Sequence, residues 1–170
     1  MIETTRLRLR RCHPSDVDAV LAYRGRSDVA KYLSAGVWTR AKTIRELGTY
    51  ETTVFDGPGD ELVLLAEIND SRRVAGEVGL VWRDDIPDTA EIGYVFNPDF
   101  GGRGLATEAI TALVQVAFDQ FGFRHVMAVT DEANRASRAL CERVGMRLLS
   151  TSIGNDHRRV PECTYEITRS

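Results

Sequence analysis

The chain has 170 residues, of which 43% are hydrophobic and 28% are charged, with a formal net charge of −3 at pH 7. This length fits one domain over residues 1–170, and the composition excludes a disordered or fibrous chain. The slightly acidic balance does not favour a nucleic-acid partner, and the apolar runs are too short to span a membrane.

The N-terminus and the cysteines bear on cellular location. No apolar segment of the kind that a signal peptide needs follows Met1. The cysteines, at Cys12, Cys141 and Cys163, are odd in number and widely spaced, which fits neither a disulfide framework nor a zinc site. We therefore expect a cytoplasmic protein that works without a metal.

The first predicted element is a strand over residues 5–11, in which arginine and leucine alternate. Such alternation is typical of a strand with one face in water. We interpret the arginines from Arg6 to Arg11 as solvated, in preference to a phosphate-binding patch.

Two helices are predicted next. Ser15 as N-cap, with Asp18 three residues later, resembles a capping box and predicts a helix as far as about Arg26. A second helix is expected over 41–53. It ends before the loop 56–60, whose glycines and proline exclude regular structure.

The second part of the chain alternates between strand-like and helix-like patterns. Short connections predict an antiparallel meander of strands at 62–68, 73–82 and 89–96. The hydrophobic period becomes helical over about 103–120 and 134–144, with Gly122 and Gly145 as helix ends. Further strands are predicted at 124–130, 146–153 and 162–168. This order predicts an α/β (α+β) fold, in which helices cover a mixed, mostly antiparallel twisted sheet.

The most informative segment is the glycine-rich loop Gly101-Gly102-Arg103-Gly104, which joins a strand to an amphipathic helix. Backbone amides at a helix start have no partner within the helix, and the helix dipole adds positive potential there. Glycines let a ligand approach the amides directly, and Arg103 adds a positive charge. The segment predicts binding of a phosphorylated cofactor, with a simple tight turn as the alternative.

Two common phosphate-binding motifs do not fit this loop. A P-loop needs Gly-Lys-Ser/Thr after the glycines, and that sequence is absent. A dinucleotide-binding fingerprint needs a third glycine two residues after Gly104 and a parallel βαβ unit, whereas this loop follows antiparallel strands.

Read with its flanks, the loop resembles the coenzyme A loop of the GNAT (GCN5-related N-acetyltransferase) superfamily. The family pattern Gln/Arg-x-x-Gly-x-Gly/Ala appears here as Gly101 to Ala106, with Gly101 in place of the usual Gln or Arg. Further similarity to ribosomal-protein N-terminal acetyltransferases (the RimJ/RimL-like branch) lies in Thr5–Arg10, Ala90–Pro98 and Asn134–Met146. The resemblance spans nearly the whole chain. It implies the single-domain acyl-CoA N-acyltransferase fold, with about four helices, and acetyl transfer from acetyl-CoA to a primary amine.

The resemblance also implies which residues bind acetyl-CoA. The end of the 89–96 strand would offer backbone groups to the pantetheine arm, where this strand splays from its neighbour, often at a bulge. Asn134 matches a family asparagine that contacts that arm, and it is also a candidate helix N-cap. The implied cofactor-binding residues are Val95, Phe96, Gly101, Gly102, Arg103, Gly104, Leu105, Ala106, Thr107, Asn134 and Ser137.

Acetyl transfer needs a proton donor for the departing thiolate. In many family members the donor is a tyrosine at the position that Cys141 occupies here. A thiol with a pKa of about 8.5 is able to donate a proton, whereas a buried structural thiol is the alternative. Ser137 is a competing candidate for the same role.

The attacking amine must lose a proton to a base, often through water. Glu91 on the 89–96 strand is the preferred candidate, followed by Glu77 and Glu67, with exposed or strand-pairing glutamates as the alternative. A catalytic carboxylate needs burial to raise its pKa, so we expect Glu91 to lack an arginine partner.

The acceptor pocket has weaker candidates. Tyr32, Trp38 and Trp82 are interpreted as pocket or core aromatics, and His157 as a residue of the acceptor mouth or a solvated loop. We expect a protein N-terminal α-amino group as the acceptor, then a small-molecule amine, and a monomeric or homodimeric enzyme. The alternative function is a non-catalytic acyl-CoA-binding or regulatory module.

Overall fold

The computed structural model describes residues 1–169, which are organised around an 8-stranded sheet. The strands are β1 (Ile2–Glu3), β2 (Leu7–Arg10), β3 (Glu61–Ile68), β4 (Val74–Trp82), β5 (Thr89–Phe96), β6 (His125–Asp131), β7 (Arg147–Ile153) and β8 (Pro161–Thr168). Their order across the sheet is β1-β2-β3-β4-β5-β6-β8-β7. Neighbouring strands are antiparallel except for β5 and β6, which are parallel. The predicted mixed, mostly antiparallel sheet is confirmed.

Helices cover both faces of the sheet. They are α1 (Val17–Arg24), α2 (Ser27–Ala30), α3 (Arg40–Thr52), α4 (Leu105–Asp119) and α5 (Arg135–Val144). Within residues 1–169, none of these helices combines the length and the apolar character that a membrane crossing requires.

Strand alternation divides the core into two parts, because successive side chains point to opposite faces. On one face Leu65 and Val95 pack with Tyr23 of α1. On the other face Ile92 packs with Leu113 of α4. Each fully buried side chain of this kind contributes about 1.5–3 kcal/mol. The strand β5 is therefore held rigidly from both sides.

The start of the first helix differs from the prediction. The ring of His13 accepts a hydrogen bond from the Ser15 amide, and the carboxylate of Asp16 accepts one from the His13 amide. Pro14 fixes a backbone angle that suits this 3-10 turn, and α1 follows it. The prediction of Ser15 as N-cap is therefore wrong. The short helix α2 was not predicted, because its four residues are too few to show a helical period.

The sequence predicted the end of α5 correctly. It predicted the start of α4 two residues too early. Gly145, with φ +95°, ends α5 as expected. Gly104, with φ +74°, cannot belong to a right-handed helix, so α4 begins at Leu105.

The arginines of β2 and the bend before it are not simply solvated. They bond to carboxylates in the pairs Arg6–Glu108, Arg8–Glu3, Arg10–Asp16 and Arg10–Glu67. The interpretation of this run as a strand with one outer face is confirmed for β2, whose leucines are buried and whose arginines are not. The ion pairs add a structural role for Arg6, Arg8 and Arg10.

The parallel pair β5–β6 is short. Thr89 to Glu91 pair with His125 to Met127, and beyond that point the two strands separate. β5 remains fully paired with β4, and β6 with β8, so the separation opens a wedge within the sheet. The register between β4 and β5 is regular from Gly76 to Trp82, so the bulge expected on β5 is not present there.

Candidate active site

The wedge between β5 and β6 forms a cleft of about 820 Å³, a volume typical of ligand pockets. Val95 and Phe96 line one wall, as predicted, and Val129 to Asp131 of β6 line the other. Beyond Glu91, the edge of β5 that faces β6 has no strand partner. Such an edge can pair with an extended ligand in the manner of an added strand.

The glycine-rich loop lies where β5 ends and α4 begins. Asn97 is buried and its side chain accepts a hydrogen bond from the Asp99 amide, and the ring of Phe100 is buried in the core. Gly102 and Gly104 adopt φ values of +72° and +74°, which favour glycine. The loop is therefore fixed at its start and adopts a conformation that its sequence specifies.

The backbone amides from Gly102 to Thr107, which we call the amide cradle, donate no hydrogen bond within residues 1–169. They surround the N-terminus of α4, where the helix dipole favours an anion. A Cβ atom at Gly102 would have no atom within 4 Å, so the space beside the cradle is open. Ala106 belongs to both the cradle and the cleft lining. The structure thus brings together the loop residues predicted to bind the cofactor, and their arrangement fits a pyrophosphate.

Asn134 is the N-cap of α5, since its side-chain oxygen accepts a hydrogen bond from the Ser137 amide at 3.1 Å. Asn134 and Ser137 both line the cleft. The helix-capping interpretation is confirmed, and the cleft position leaves the asparagine available to a ligand.

A polar cluster joins β5 to α5. The Tyr94 hydroxyl lies 2.8 Å from Ser137 Oγ and 3.2 Å from Cys141 Sγ. Burial raises the pKa of the Tyr94 phenol and that of the Cys141 thiol, so both are protonated at neutral pH. Tyr94 and Ser137 line the cleft, whereas Cys141 is 1% exposed and is not part of the lining.

Sequence reasoning did not identify Tyr94 as a functional residue. The signal was present, because strand alternation places Tyr94 on the same face as Ile92 and Phe96, toward α4 and α5. The family comparison drew attention to position 141 instead, where the tyrosine is missing.

The opposite face of β5 borders a smaller cavity of about 340 Å³, which we call the side chamber. Gly79 and Gly93 are directly paired neighbours in its lining. A Cβ atom at Gly93 would have no atom within 4 Å. Polar groups also line the chamber, namely Arg24, Tyr50, Glu61, Glu77 and Glu91. The cleft and the chamber adjoin one another, because their linings have seven residues in common, namely Leu33, Ser34, Glu91, Gly93, Tyr94, Val95 and Val129.

Glu77 is fully engaged by neighbouring groups. It is 5% exposed, accepts a hydrogen bond from the Tyr23 hydroxyl at 2.7 Å and forms an ion pair with Arg24. The guanidinium of Arg24 lies over the ring of Trp38, 4.4 Å from its centroid. These contacts give Glu77 a structural role and place Trp38 behind the chamber, within the core.

Glu91 has an arginine partner, contrary to expectation. Its carboxylate lies 2.6 Å from Arg83 Nη1. Val81 pairs with Glu91 across the strands, so Arg83 is a diagonal neighbour on the same face. Glu67 is bound by Arg10 and Arg72 and lines neither cavity.

Glu61 is a carboxylate of the side chamber that sequence reasoning missed. It pairs with Val81, which in turn pairs with Glu91, so both glutamates lie in one row across the sheet. Although Glu61 is exposed, partial burial of its carboxyl and the nearby Glu77 raise its pKa. Within residues 1–169 it forms no ion pair, which distinguishes it from Glu77 and Glu91.

The remaining candidates for the acceptor pocket differ in whether they line a cavity. Tyr32 lines the cleft, and its carbonyl accepts a hydrogen bond from Arg158 at 2.9 Å. Trp82 packs against Phe123 in an aromatic cluster, with ring centroids 4.8 Å apart, and lines neither cavity. His157 is exposed and is not part of the cleft lining.

Comparison with known proteins agrees with this geometry. The acetyltransferase (GNAT) domain family matches residues 6–147. The chain is 29% identical to the uncharacterized N-acetyltransferase YnaD of Bacillus subtilis, over 86% of this chain and 82% of that protein. Its fold is similar to that of a GNAT family acetyltransferase from Bacillus anthracis, with a TM-score of 0.85, 25% identity and coverage of 98% and 97% of the two chains.

A second similar structure is RimL, a ribosomal L7/L12 α-N-protein acetyltransferase solved in complex with coenzyme A. Its TM-score is 0.80, with 18% identity and coverage of 97% of this chain and 95% of that one. The domain match extends from the bend before β2 to the start of β7, and so includes the amide cradle, α5 and most of the cleft lining. The chain therefore belongs to the GNAT family and is an acetyl-CoA-dependent N-acetyltransferase.

Proposed function

We propose that this enzyme acetylates the N-terminal α-amino group of a protein or peptide, which enters through the side chamber. The observation that carries this proposal is the open space above Gly93, bordered by Glu61 and Glu91 and adjoining the cleft. Carboxylates attract an ammonium group, so their position suits the approach of a protonated amine.

The choice of a protein acceptor is supported by RimL, whose name describes acetylation of a protein α-amino group and whose fold this chain shares. A small-molecule amine is the second candidate, because the side chamber, at about 340 Å³, is within the size range of small-ligand pockets. The free, buried cysteines Cys12, Cys141 and Cys163 support a cytoplasmic location, where thiols remain reduced.

Acetyl-CoA supplies the acetyl group as a reactive thioester. In our assignment the amides from Gly102 to Thr107 hold its pyrophosphate, with Gly101 providing the turn and Arg103 a positive charge at the rim. The open edge at Val95 and Phe96 holds the pantetheine arm, together with Asn134. Strand amides at this edge are also suitable donors for the negative charge that develops on the carbonyl oxygen.

We assign the proton donor for the thiolate to Tyr94 together with Ser137. Cys141, the position expected from the sequence, lies behind Tyr94 and outside the cleft lining. A phenol whose pKa is raised by burial keeps its proton at neutral pH, and Ser137 can orient it by hydrogen bonding. Tyr94 thus supplies the hydroxyl that the family places at position 141, which argues against a non-catalytic binding module.

We assign the base to Glu61, with Glu91 as the alternative, each acting on the amine through water. Glu61 lines the chamber, and its pKa is raised from its ordinary value, a direction that makes it a better proton acceptor. Glu91 lines both the cleft and the chamber, but its carboxylate already accepts a hydrogen bond from Arg83, which competes with a bridging water.

The proposed acceptor can be tested by measuring thiol release from acetyl-CoA with a panel of amines. The panel contains a peptide with a free N-terminus, the same peptide with a formylated N-terminus, a polyamine and free amino acids. We expect release with the free peptide and N-terminal acetylation by mass spectrometry. Turnover of small amines alone would favour the second candidate, and equal release with the formylated peptide would contradict an α-amino acceptor.

A further inference from the structure

Arg6 lies in the bend before β2, yet its side chain reaches the glycine-rich loop. Its Nη1 donates a hydrogen bond to the carbonyl oxygen of Arg103 at 2.7 Å, and its Nε donates one to Glu108 at 2.6 Å. These residues are 97 and 102 positions apart from Arg6 in the chain. The contact therefore connects the N-terminal segment directly to the start of α4.

Glu108 is a fixed anchor for this arginine. Its Oε1 accepts hydrogen bonds from the Thr4 hydroxyl at 2.6 Å and from the Arg6 amide at 2.8 Å, while its Oε2 accepts the bond from Arg6 Nε. Burial alone would raise the pKa of Glu108, but the hydrogen bonds from Thr4 and Arg6 lower it overall. The carboxylate is thus ionised at neutral pH and held within the first turn of α4.

The bond to the Arg103 carbonyl has a consequence for the amide cradle. In a trans peptide the carbonyl oxygen of one residue and the amide hydrogen of the next point in opposite directions. Holding the Arg103 oxygen toward Arg6 therefore directs the Gly104 amide to the other side of the loop. Gly104 has φ +74°, and glycine adopts other backbone conformations at little cost, so an external partner is needed to hold this peptide in one orientation.

We propose that Arg6, anchored by Glu108, is a positioning residue for acetyl-CoA, which fixes the Arg103–Gly104 peptide so that the Gly104 amide faces the pyrophosphate. This inference rests on the proposed assignment of the amide cradle. Because this peptide is already fixed in the free protein, less conformational entropy is lost when the ligand binds. The arginine acts through the backbone and need not touch the ligand.

The test compares Arg6→Ala with Arg8→Ala. Arg8 is the matched control because it also pairs with a glutamate, Glu3, and makes no contact with the loop. Calorimetric titration with coenzyme A should show about a tenfold weaker affinity for Arg6→Ala, the size expected for a lost charge-assisted hydrogen bond. Arg8→Ala should bind as the parent does. Glu108→Gln, which keeps the shape of the anchor, should give a smaller loss.

A truncated substrate separates this role from a general effect on folding. Acetyl-pantetheine lacks the pyrophosphate, so kcat/KM with this substrate should be the same for Arg6→Ala and the parent. With acetyl-CoA, KM should rise while kcat is unchanged. Unaltered coenzyme A affinity in Arg6→Ala would overturn the inference, as would an equal loss of kcat/KM with both substrates.

Gly104→Val distinguishes the failure of this inference from failure of the proposed cradle. If Gly104→Val weakens coenzyme A binding and Arg6→Ala does not, the cradle assignment stands and the role of Arg6 is wrong. If neither variant weakens binding, the cradle assignment itself is wrong, and the inference about Arg6 is overturned with it.

Discussion

The two sides of β5 differ in the kind of group that we propose for ligand recognition. On the cleft side, the amide cradle comes from one continuous segment and relies on backbone groups from Gly102 to Thr107. On the chamber side, the polar groups are side chains from α1, α3 and three strands, with Glu61 and Glu91 in one row. A backbone site suits a cosubstrate that never changes, whereas a side-chain site can be altered residue by residue for a new acceptor.

The largest expected effect tests whether the cleft side also supplies a catalytic side chain. Tyr94→Phe removes the hydroxyl and keeps the ring, so kcat should fall by about a hundredfold, since a proton donor contributes that much or more. Coenzyme A affinity, measured by calorimetry, should be unchanged. Cys141→Ala is the matched variant and should lower kcat only slightly, because its thiol is outside the cleft lining. Equal losses in the two variants would return the donor role to Cys141.

The next effect concerns the backbone site. Gly104→Val places a β-branched residue at φ +74°, at a cost of about 1–3 kcal/mol, so coenzyme A affinity should fall by about tenfold to a hundredfold. Gly59→Val, at φ +91° in a loop that lines neither cavity, provides the control for backbone strain alone. Calorimetry on both folded variants makes the comparison. Similar affinities would contradict the cradle.

A smaller effect is expected for the base in the side chamber. Glu61→Gln should lower kcat/KM for the amine by about tenfold and flatten the acidic limb of the pH–rate profile. Its folded pKa is raised, so ionisation of Glu61 destabilises the protein as pH rises through that pKa. Glu61→Gln should therefore increase the free energy of unfolding above this pH while it reduces turnover. If Glu91→Gln alone removes the acidic limb, Glu91 is the base.

The smallest effect tests the open space of the chamber. Gly93→Ala adds a methyl group where no atom lies within 4 Å, so the fold should tolerate it. The KM of the amine should rise by about fivefold, because one methyl group in a pocket changes binding by about 1–3 kcal/mol and the open space here favours the lower value. Gly48→Ala, which also adds a methyl in open space but lies on α3, is the control and should leave this KM unchanged. An equal KM in the two variants would show that the amine does not pass Gly93.

The sequence predicted the conformation of the glycine-rich loop well, because that conformation depends on local features. Positive φ values require glycine, and an N-terminal helix turn requires an amphipathic pattern, so Gly102, Gly104 and the start of α4 were visible without any tertiary information. The helix cap at Asn134 was predictable for the same reason.

The side chamber depends on contacts between distant elements, and its details were not predictable. Glu61 meets Glu91 only through the pairing of β3, β4 and β5, and the arginine partner of Glu91 arises from the same register. Tyr94 and Ser137 are 43 positions apart, and only the packing of α5 against the sheet joins them. The contact between Arg6 and Glu108 was not predictable either, because these residues are 102 positions apart.

The gap between β5 and β6 also affects how the protein avoids aggregation. An open strand edge on a surface can pair with a strand of another protein. β7, at one margin of the sheet, is exposed along its length and carries Leu148, Leu149 and Ile153. The free edge of β5 lies inside the molecule instead, with β6 and α5 across the cleft from it. The unpaired edge of β5 is thus accessible to a narrow extended ligand but not to the sheet of a neighbouring protein.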